Sequence, residues 1–477
     1  MSLHEFSLTT TPEMLALLAL VRQRMLQAPD EAAKAQRDFE VSLREHMLAL
    51  ERGVHVADFG RLDVDVHGIV VDGVRFKRRK ERTPGEYMTL AGTIYVERTS
   101  CRERGGHGGR TVVPLELRLG LVDGQWTLAA AEAACAFMAS VPSKEAASLL
   151  RAAGSMRPSS SNLDRLPKRV SEVWEKGRVA FETMTRDAER LDLPGSEKVA
   201  HIALSLDGIM LPMKDAPRTP GLGKKDQGPK GHREVGCASV SLYDAKGERL
   251  HTVRFGRMPE SYKVTLHRQL VAEAQAMRAR YPSATLQAVA DGASENWRIL
   301  GEVAAELGCE VSQTLDFFHA VEHLGEGMRA SGVGDDELAK WRHILRDSPD
   351  GTEQVIEELA VRAGDMELRG PGRRTVEREL NYFISQSERT NYAALAAAHQ
   401  PIGSGVQEAT CKTLVADRMK RSGMSWLAPG GQAILTLRGQ AQSGRLGHAW
   451  NALRPAFIQR FDLDPSPRRQ LPRGKAA

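Results

Sequence analysis

From residue 199 onward, three strand-like runs follow one another before any helix appears, and only then do helix and strand alternate. VAHIALSLDGIML reads as a strand ending at Asp207. VGCASVSLYD (235–244) and ERLHTVRF (248–255) read as two more, joined by a turn at Ala245-Lys246-Gly247. An amphipathic helix covers 261–280, and TLQAVADG supplies a fourth strand ending at Asp291. A helix from Glu295 to Leu307 and a fifth strand, CEVSQTLDF, complete the run. Adjacent hairpin strands followed by crossover helices leave few sheet topologies open.

That order is the order of a ribonuclease-H-like sheet, so the fold class expected is α/β. Residues 199–319 and 401–455 form the sheet domain, with an all-helical insertion at 320–400. A basic tail, PSPRRQLPRGKAA, ends the chain within 456–477. Upstream, residues 1–56 read as helical. Alternating Val64, Val66, Ile69, Val70 and Val74 mark a small β module over 57–126, with further strands at 88–96 and 111–119. Residues 127–198 read as short helices with tight turns. Ser143 is the expected cap of one, and Ser161 or Asn162 of the next. Arg165, Lys168 and Arg169 on the latter fit a helix-turn-helix-like DNA-binding unit; the alternative is a plain helical connector.

Asp207 and Asp291 share one design: each follows an apolar strand and precedes glycine. A strand holds a side chain rigidly, and glycine lets the backbone turn away from it. Singly, each is also a common turn residue. As a pair on neighbouring strands they would crowd two negative charges, which a hard cation such as Mg²⁺ or Mn²⁺ relieves. Glu408, in Pro401-Ile-Gly-Ser-Gly405-Val-Gln-Glu408, is the best third acid, although a lone helical Glu is ordinarily a surface charge. Lys412 follows one turn later, then Arg418, Lys420 and Arg421.

Asp316-Phe-Phe-His319 and His323 form a second cluster. The i, i+4 histidines suit zinc, but HAVEH lacks the HExxH order; His319 reads as packing near the active centre or touching DNA, or as a core histidine. Cys101 and His107 hint at a zinc ribbon, yet two ligands do not hold a structural zinc ion, so the β module is expected to be metal-free and only zinc-ribbon-like.

The five cysteines are scattered without a CxxC pair, which fits free thiols in a reducing cytoplasm. No apolar run approaches the roughly 20 residues of a membrane span, and no signal sequence is expected at the N-terminus. Net charge is only +5, so local clusters matter more. Between Lys214 and Arg233 lie six Lys/Arg, among them Lys224, Lys225 and Lys230, and two Asp. The segment leaves the strand bearing Asp207 and reads as a DNA contact, or as a solvated linker. Trp297 and Trp426 are expected in the core.

The segments SLDGIMLPM, GERLHTVRFGRMPE, ADGASENW, LDFFHAVEHL, WRHILRDSPDG, PIGSGVQEATCKTLVADRMKRSGMSW and GGQAILTLR together closely resemble insertion-sequence transposases of the ISKra type, bacterial DDE enzymes. The resemblance covers roughly 200–455 and implies a ribonuclease-H-like catalytic domain. It implies the acid triad Asp207, Asp291 and Glu408, with Asp316 and His319 as an accessory element. It further implies two divalent cations, Mg²⁺ or Mn²⁺, and strand cleavage and transfer at element ends by in-line displacement. The partners implied are double-stranded DNA, as terminal inverted repeats and target, and a homo-oligomer on DNA, in the bacterial nucleoid. The cysteine-paired zinc ribbon of relatives is reduced here to Cys101 and His107. A nuclease without strand transfer, or an inactive transposase-derived DNA-binding protein, are the competing readings.

Overall fold

The computed structural model describes residues 11–104, 109–154, 156–214 and 231–464. His107, Lys224, Lys225, Lys230 and the end of the basic tail lie outside them. The chain divides into two compact units, Met1–Met184 with Gly447–Ala477, and Thr185–Leu446.

In the first unit, α1 (Pro12–Met25), α2 (Pro29–Lys34) and α3 (Gln36–Leu62) come first. The β module therefore starts later than expected, because α3 runs on through Val56 and Phe59 to Leu62. β1 (Gly68–Val71), β2 (Val74–Arg78), β3 (Thr83–Thr89), β4 (Gly92–Arg98), β5 (Cys101–Glu103) and β6 (Thr111–Val112) follow. The stretch expected as a strand over 111–119 is only two residues of β6. It then becomes α4 (Pro114–Leu119), since proline fits the first helical turn and cannot serve a sheet ladder. α5 (Leu128–Ser140), α6 (Ser143–Ala152) and α7 (Ser160–Lys176) pack on one another. The caps shift by a few residues from expectation: Pro142 precedes α6, and the Ser159 hydroxyl caps α7 by accepting from Asn162 N–H at 3.1 Å. α8 (Arg178–Glu189) spans the boundary of the units.

The second unit holds β7 (His201–Met213), β8 (Gly231–Tyr243), β9 (Arg249–Arg257), α9 (Val264–Arg280), β10 (Thr285–Ala290), α10 (Ser294–Leu307) and β11 (Ser312–Leu315). The sheet order is β11-β10-β7-β8-β9. The β7–β8 and β8–β9 pairs are antiparallel; β10 is parallel to both β7 and β11. Three successive strands before the helix–strand alternation is the element order expected from the sequence. Ile202, Leu204, Leu206, Ala238, Val240 and Leu242 pack one face against Leu266, Leu270 and Met277 of α9 and Ile299, Leu300 and Val303 of α10.

The insertion is helical as expected: α11 (Phe317–Ala330), α12 (Asp335–Asp347), α13 (Gly351–Gly364), α14 (Gly370–Gln386) and α15 (Tyr392–Ala397), around Leu324, Met328, Leu359, Val376 and Phe383. The chain returns through α16 (Gly405–Thr410), a π-helical stretch Cys411–Ala416, α17 (Asp417–Met419) and α18 (Ala428–Gln442), which lies along β9. α19 (Leu446–Leu453) falls in the first unit, apart from its first residue, rather than with the sheet. There β12 (Asp462–Leu463) pairs with β1, so the segment expected as a tail from 456 is built into a sheet up to that strand. Among the described residues no helix is long and apolar enough to cross a membrane.

Candidate active site

Successive side chains on a strand face opposite sides of the sheet. Leu204 and Leu206 on β7, Ala238 and Val240 on β8, and Ala288 and Ala290 on β10 lie in the core under α9 and α10. Asp207, Cys237, Ser239 and Asp291 accordingly belong to the opposite face. Ser205 pairs with Val289; two residues on, Asp207 stands in β7 and Asp291 just past the end of β10. Neighbouring strands are about 4.8 Å apart, so the two carboxyls are close. Burial raises the Asp207 carboxyl above the usual carboxylate range. The Asp291 and Glu234 charges add to this, while hydrogen bonds from Gly208 N–H and Cys411 oppose it.

The two Asp-Gly steps differ. Gly292 has φ +94°, as a sharp turn requires. Gly208 does not, and Asp207 does not end its strand. Alternating Ile209, Leu211 and Met213 carry β7 six residues further, with Asp207 paired to Cys237. Glycine at 208 instead makes room for the Glu234 side chain, into which a Cβ would run. The backbone at Trp426 closes the far end of β7, donating to Pro212 O at 3.0 Å and accepting from Lys214 N–H at 2.7 Å.

α16 docks on the aspartate face through Gln407, which is 1% exposed. Its Nε2 donates to Cys237 O at 2.8 Å, and its Oε1 accepts from Ser239 Oγ at 2.8 Å. Cys411 Sγ donates to Asp207 Oδ2 at 3.4 Å. Glu408 stands one turn before Cys411 and is exposed. As the side chains stand, no group of three or more His, Cys, Asp or Glu among the described residues could hold a metal ion. The fold therefore unites Asp207 and Asp291 and brings the helix carrying Glu408 onto their face, but Glu408 is not gathered into a ligand cluster with them. The aspartate pair fits a cation as a two-carboxylate platform. Cys237 and Cys411, both buried, were not singled out by sequence reasoning; the thiol of Cys411 is pushed up by Cys237, burial and Asp207.

Asp316 is 8% exposed and works as a helix cap. Oδ1 accepts from Phe318 N–H at 2.8 Å, and Oδ2 accepts from the Ser404 hydroxyl just before α16. His319 is partly exposed and pairs with Glu322 at 3.4 Å. The more engaged histidine is His323: Nδ1 lies 2.6 Å from Glu379 Oε2 and the ring stacks on Tyr382 at 3.7 Å. The Tyr382 hydroxyl donates to Asp291 O at 3.4 Å, so the insertion touches the carboxylate strand end.

Lys214, Arg233, Lys412, Lys420 and Arg421 are exposed. Arg418 is not: it is 3% exposed, with its guanidinium 5.7 Å from the Trp426 ring centre, and serves the packing of this segment. Trp297 is buried beneath Arg389, as expected of a core residue, and Trp426 is half-buried. Arg165 and Arg169 are exposed on α7 but already pair with Asp123, at 3.4 and 3.1 Å. Lys168 is exposed between them. Cys101 sits among Ile69, Val71 and Phe76, and burial raises its thiol to about 11, as a core cysteine.

No family model and no curated protein sequence matches the chain. Among solved structures, a chain of the Drosophila P element transposase strand transfer complex aligns over 72% of this chain and 84% of its own length, at 12% identity and a TM-score of 0.25.

Proposed function

We propose that the chain is a DDE-type transposase that cleaves and joins DNA strands at the ends of an insertion sequence, using Mg²⁺ or Mn²⁺ held by Asp207, Asp291 and Glu408. The observation that carries this reading is the placement of Asp207 on β7 beside Asp291 at the end of β10, with the helix bearing Glu408 docked there. The strand order supports a ribonuclease-H-like catalytic domain. Two bound cations would supply activation of a water or DNA 3′-hydroxyl and stabilisation of the leaving oxygen. Asp207 and Asp291 form the fixed part of the site. Glu408, free to swing from an exposed helix position, completes it when DNA and cations are present and orients the attacking hydroxyl. Lys412, one turn beyond it, and the exposed Lys420 meet the phosphates, and the α5–α7 unit reads the terminal inverted repeats. A homo-oligomer would hold the paired ends and target DNA.

The test is strand transfer from a pre-cleaved end with a free 3′-hydroxyl. Asp207→Asn and Glu408→Gln are expected to abolish cleavage and joining while leaving DNA binding within a few-fold. Nicked products without joined ones would make the protein a nuclease. Full joining by the Glu408→Gln protein would remove that residue from the site.

A further inference from the structure

Just before α9, two consecutive non-glycine residues, Tyr262 and Lys263, have φ of 56° and 50°. Left-handed backbone is costly for such residues and persists where the surroundings over-determine it. Tyr262 is 77% exposed, whereas Lys263 is 8% exposed, so the side chain at 263 is the one enclosed by its surroundings. Its ammonium lies 2.7 Å from Glu234 Oε1, 3.5 Å from Glu295 Oε2 and 3.3 Å from Asn296 Oδ1.

An ammonium only donates hydrogen bonds. It therefore selects the orientation of the buried Asn296 amide, with the oxygen toward Lys263 and the NH₂ away. That NH₂ donates to Asp291 Oδ1 at 3.0 Å, and Ala293 N–H donates to the same oxygen at 3.1 Å. Both bonds fall on Oδ1, which leaves Oδ2 open to a cation. Lys263 also pairs with the Glu234 carboxylate that lies over Gly208, compensating a third negative charge beside Asp207.

We propose that Lys263 is a positioning residue for divalent-cation binding: acting through Asn296, it fixes the Asp291 carboxylate with one oxygen engaged and the other presented. This rests on the reading of Asp207 and Asp291 as cation carboxylates. Outer-shell partners of ligating carboxylates typically cost about 10–100-fold in metal affinity when removed. The route runs through a single amide, so the effects of cutting it at two points do not add.

The experiment is a Mn²⁺ titration of the full chain, following loss of the free-ion electron paramagnetic resonance signal. Lys263→Met and Asn296→Ala are each expected to weaken Mn²⁺ binding about tenfold or more. The double variant should be no weaker than the weaker single, and Lys263→Arg, which keeps a donor-only cation, should recover most of the affinity. Asn296→Ala cuts the relay while leaving the ammonium paired with Glu234 and Glu295, so a folding defect in Lys263→Met does not decide the matter. Wild-type Mn²⁺ affinity in Asn296→Ala, alongside weakened binding in Asp291→Asn, overturns the role of Lys263. Unchanged binding in Asp291→Asn overturns the carboxylate-pair reading itself, and this inference with it.

Discussion

Arg445 is 4% exposed and bridges two buried carboxylates, Glu189 at 2.6 Å and Glu273 at 2.9 Å. Arg186 adds a contact to Glu273 at 3.1 Å, and His251 lies 3.2 Å from Glu189. Burial alone would raise the Glu189 carboxyl, but His251 and Arg445 outweigh it and hold it at about 2, below its ordinary 4.5. A carboxyl whose folded pKa is depressed stabilises the fold above the unfolded value and loses that contribution as pH falls toward the folded one. The window here runs from 4.5 down to about 2. Arg445→Met leaves both acids buried without their shared partner, which costs about 3–5 kcal/mol. Urea unfolding at pH 7 should show that deficit, and at pH 3 it should be smaller; equal deficits at both would remove Glu189 from the account. At this scale the sequence was informative where one residue and its neighbours decide the outcome. Asp207 and Asp291 stand out because apolar alternation and a following glycine are local signals. Lys263, Asn296 and Cys411 carry no such signal, because their roles come from residues far along the chain. Arg418 misled for the same reason: a base in a basic run reads as surface until Trp426 covers it.

The π-helical stretch Cys411–Ala416 directly follows α16, and such turns are frequent at functional sites. Its attachment to the sheet depends on Gln407, whose amide satisfies Ser239 Oγ and Cys237 O in the interior. Gln407→Ala leaves both buried groups without that partner, at about 1–3 kcal/mol. The docking of Glu408 should loosen with it. DNA cleavage is therefore expected to fall by more than DNA binding, measured on the same substrate. Equal losses in both would mean that α16 serves the fold and not the site. The five strands of this unit and their order were legible, since alternation and turn residues are read within a few positions. Strand length was not. β7 runs past Asp207 because the hairpin partner on β8 and the backbone at Trp426 extend its pairing, and no local residue announces either. In the other unit Pro114 is a local signal against a strand over 111–119, and there the chain turns into α4.

Across the whole molecule, the exposed bases occur in both units: Lys214, Arg233, Lys412, Lys420 and Arg421 in one, Arg165, Lys168 and Arg169 in the other. A base that meets a phosphate releases counterions, so each contact adds close to 0.9 to the slope of log affinity against log salt. The three bases on α7 are not equivalent in this respect. Arg165 and Arg169 share Asp123, and Arg169 also meets Glu172 at 2.9 Å, so DNA has to displace protein partners before it gains them. Lys168 has no ion-pair partner among the described residues and is available outright. If α5–α7 reads the element ends, Lys168→Ala should lower the salt slope by about 1, and each arginine change by less. Asp123→Ala should raise affinity for terminal-repeat and unrelated DNA alike, because it removes the ion-pair partner of Arg165 and one of the two partners of Arg169 without adding a base contact. Fluorescence anisotropy over a salt series with both DNAs measures all of these. A slope unmoved when Arg165, Lys168 and Arg169 are all alanine would take DNA recognition away from this helix and leave it to the exposed bases of the sheet unit.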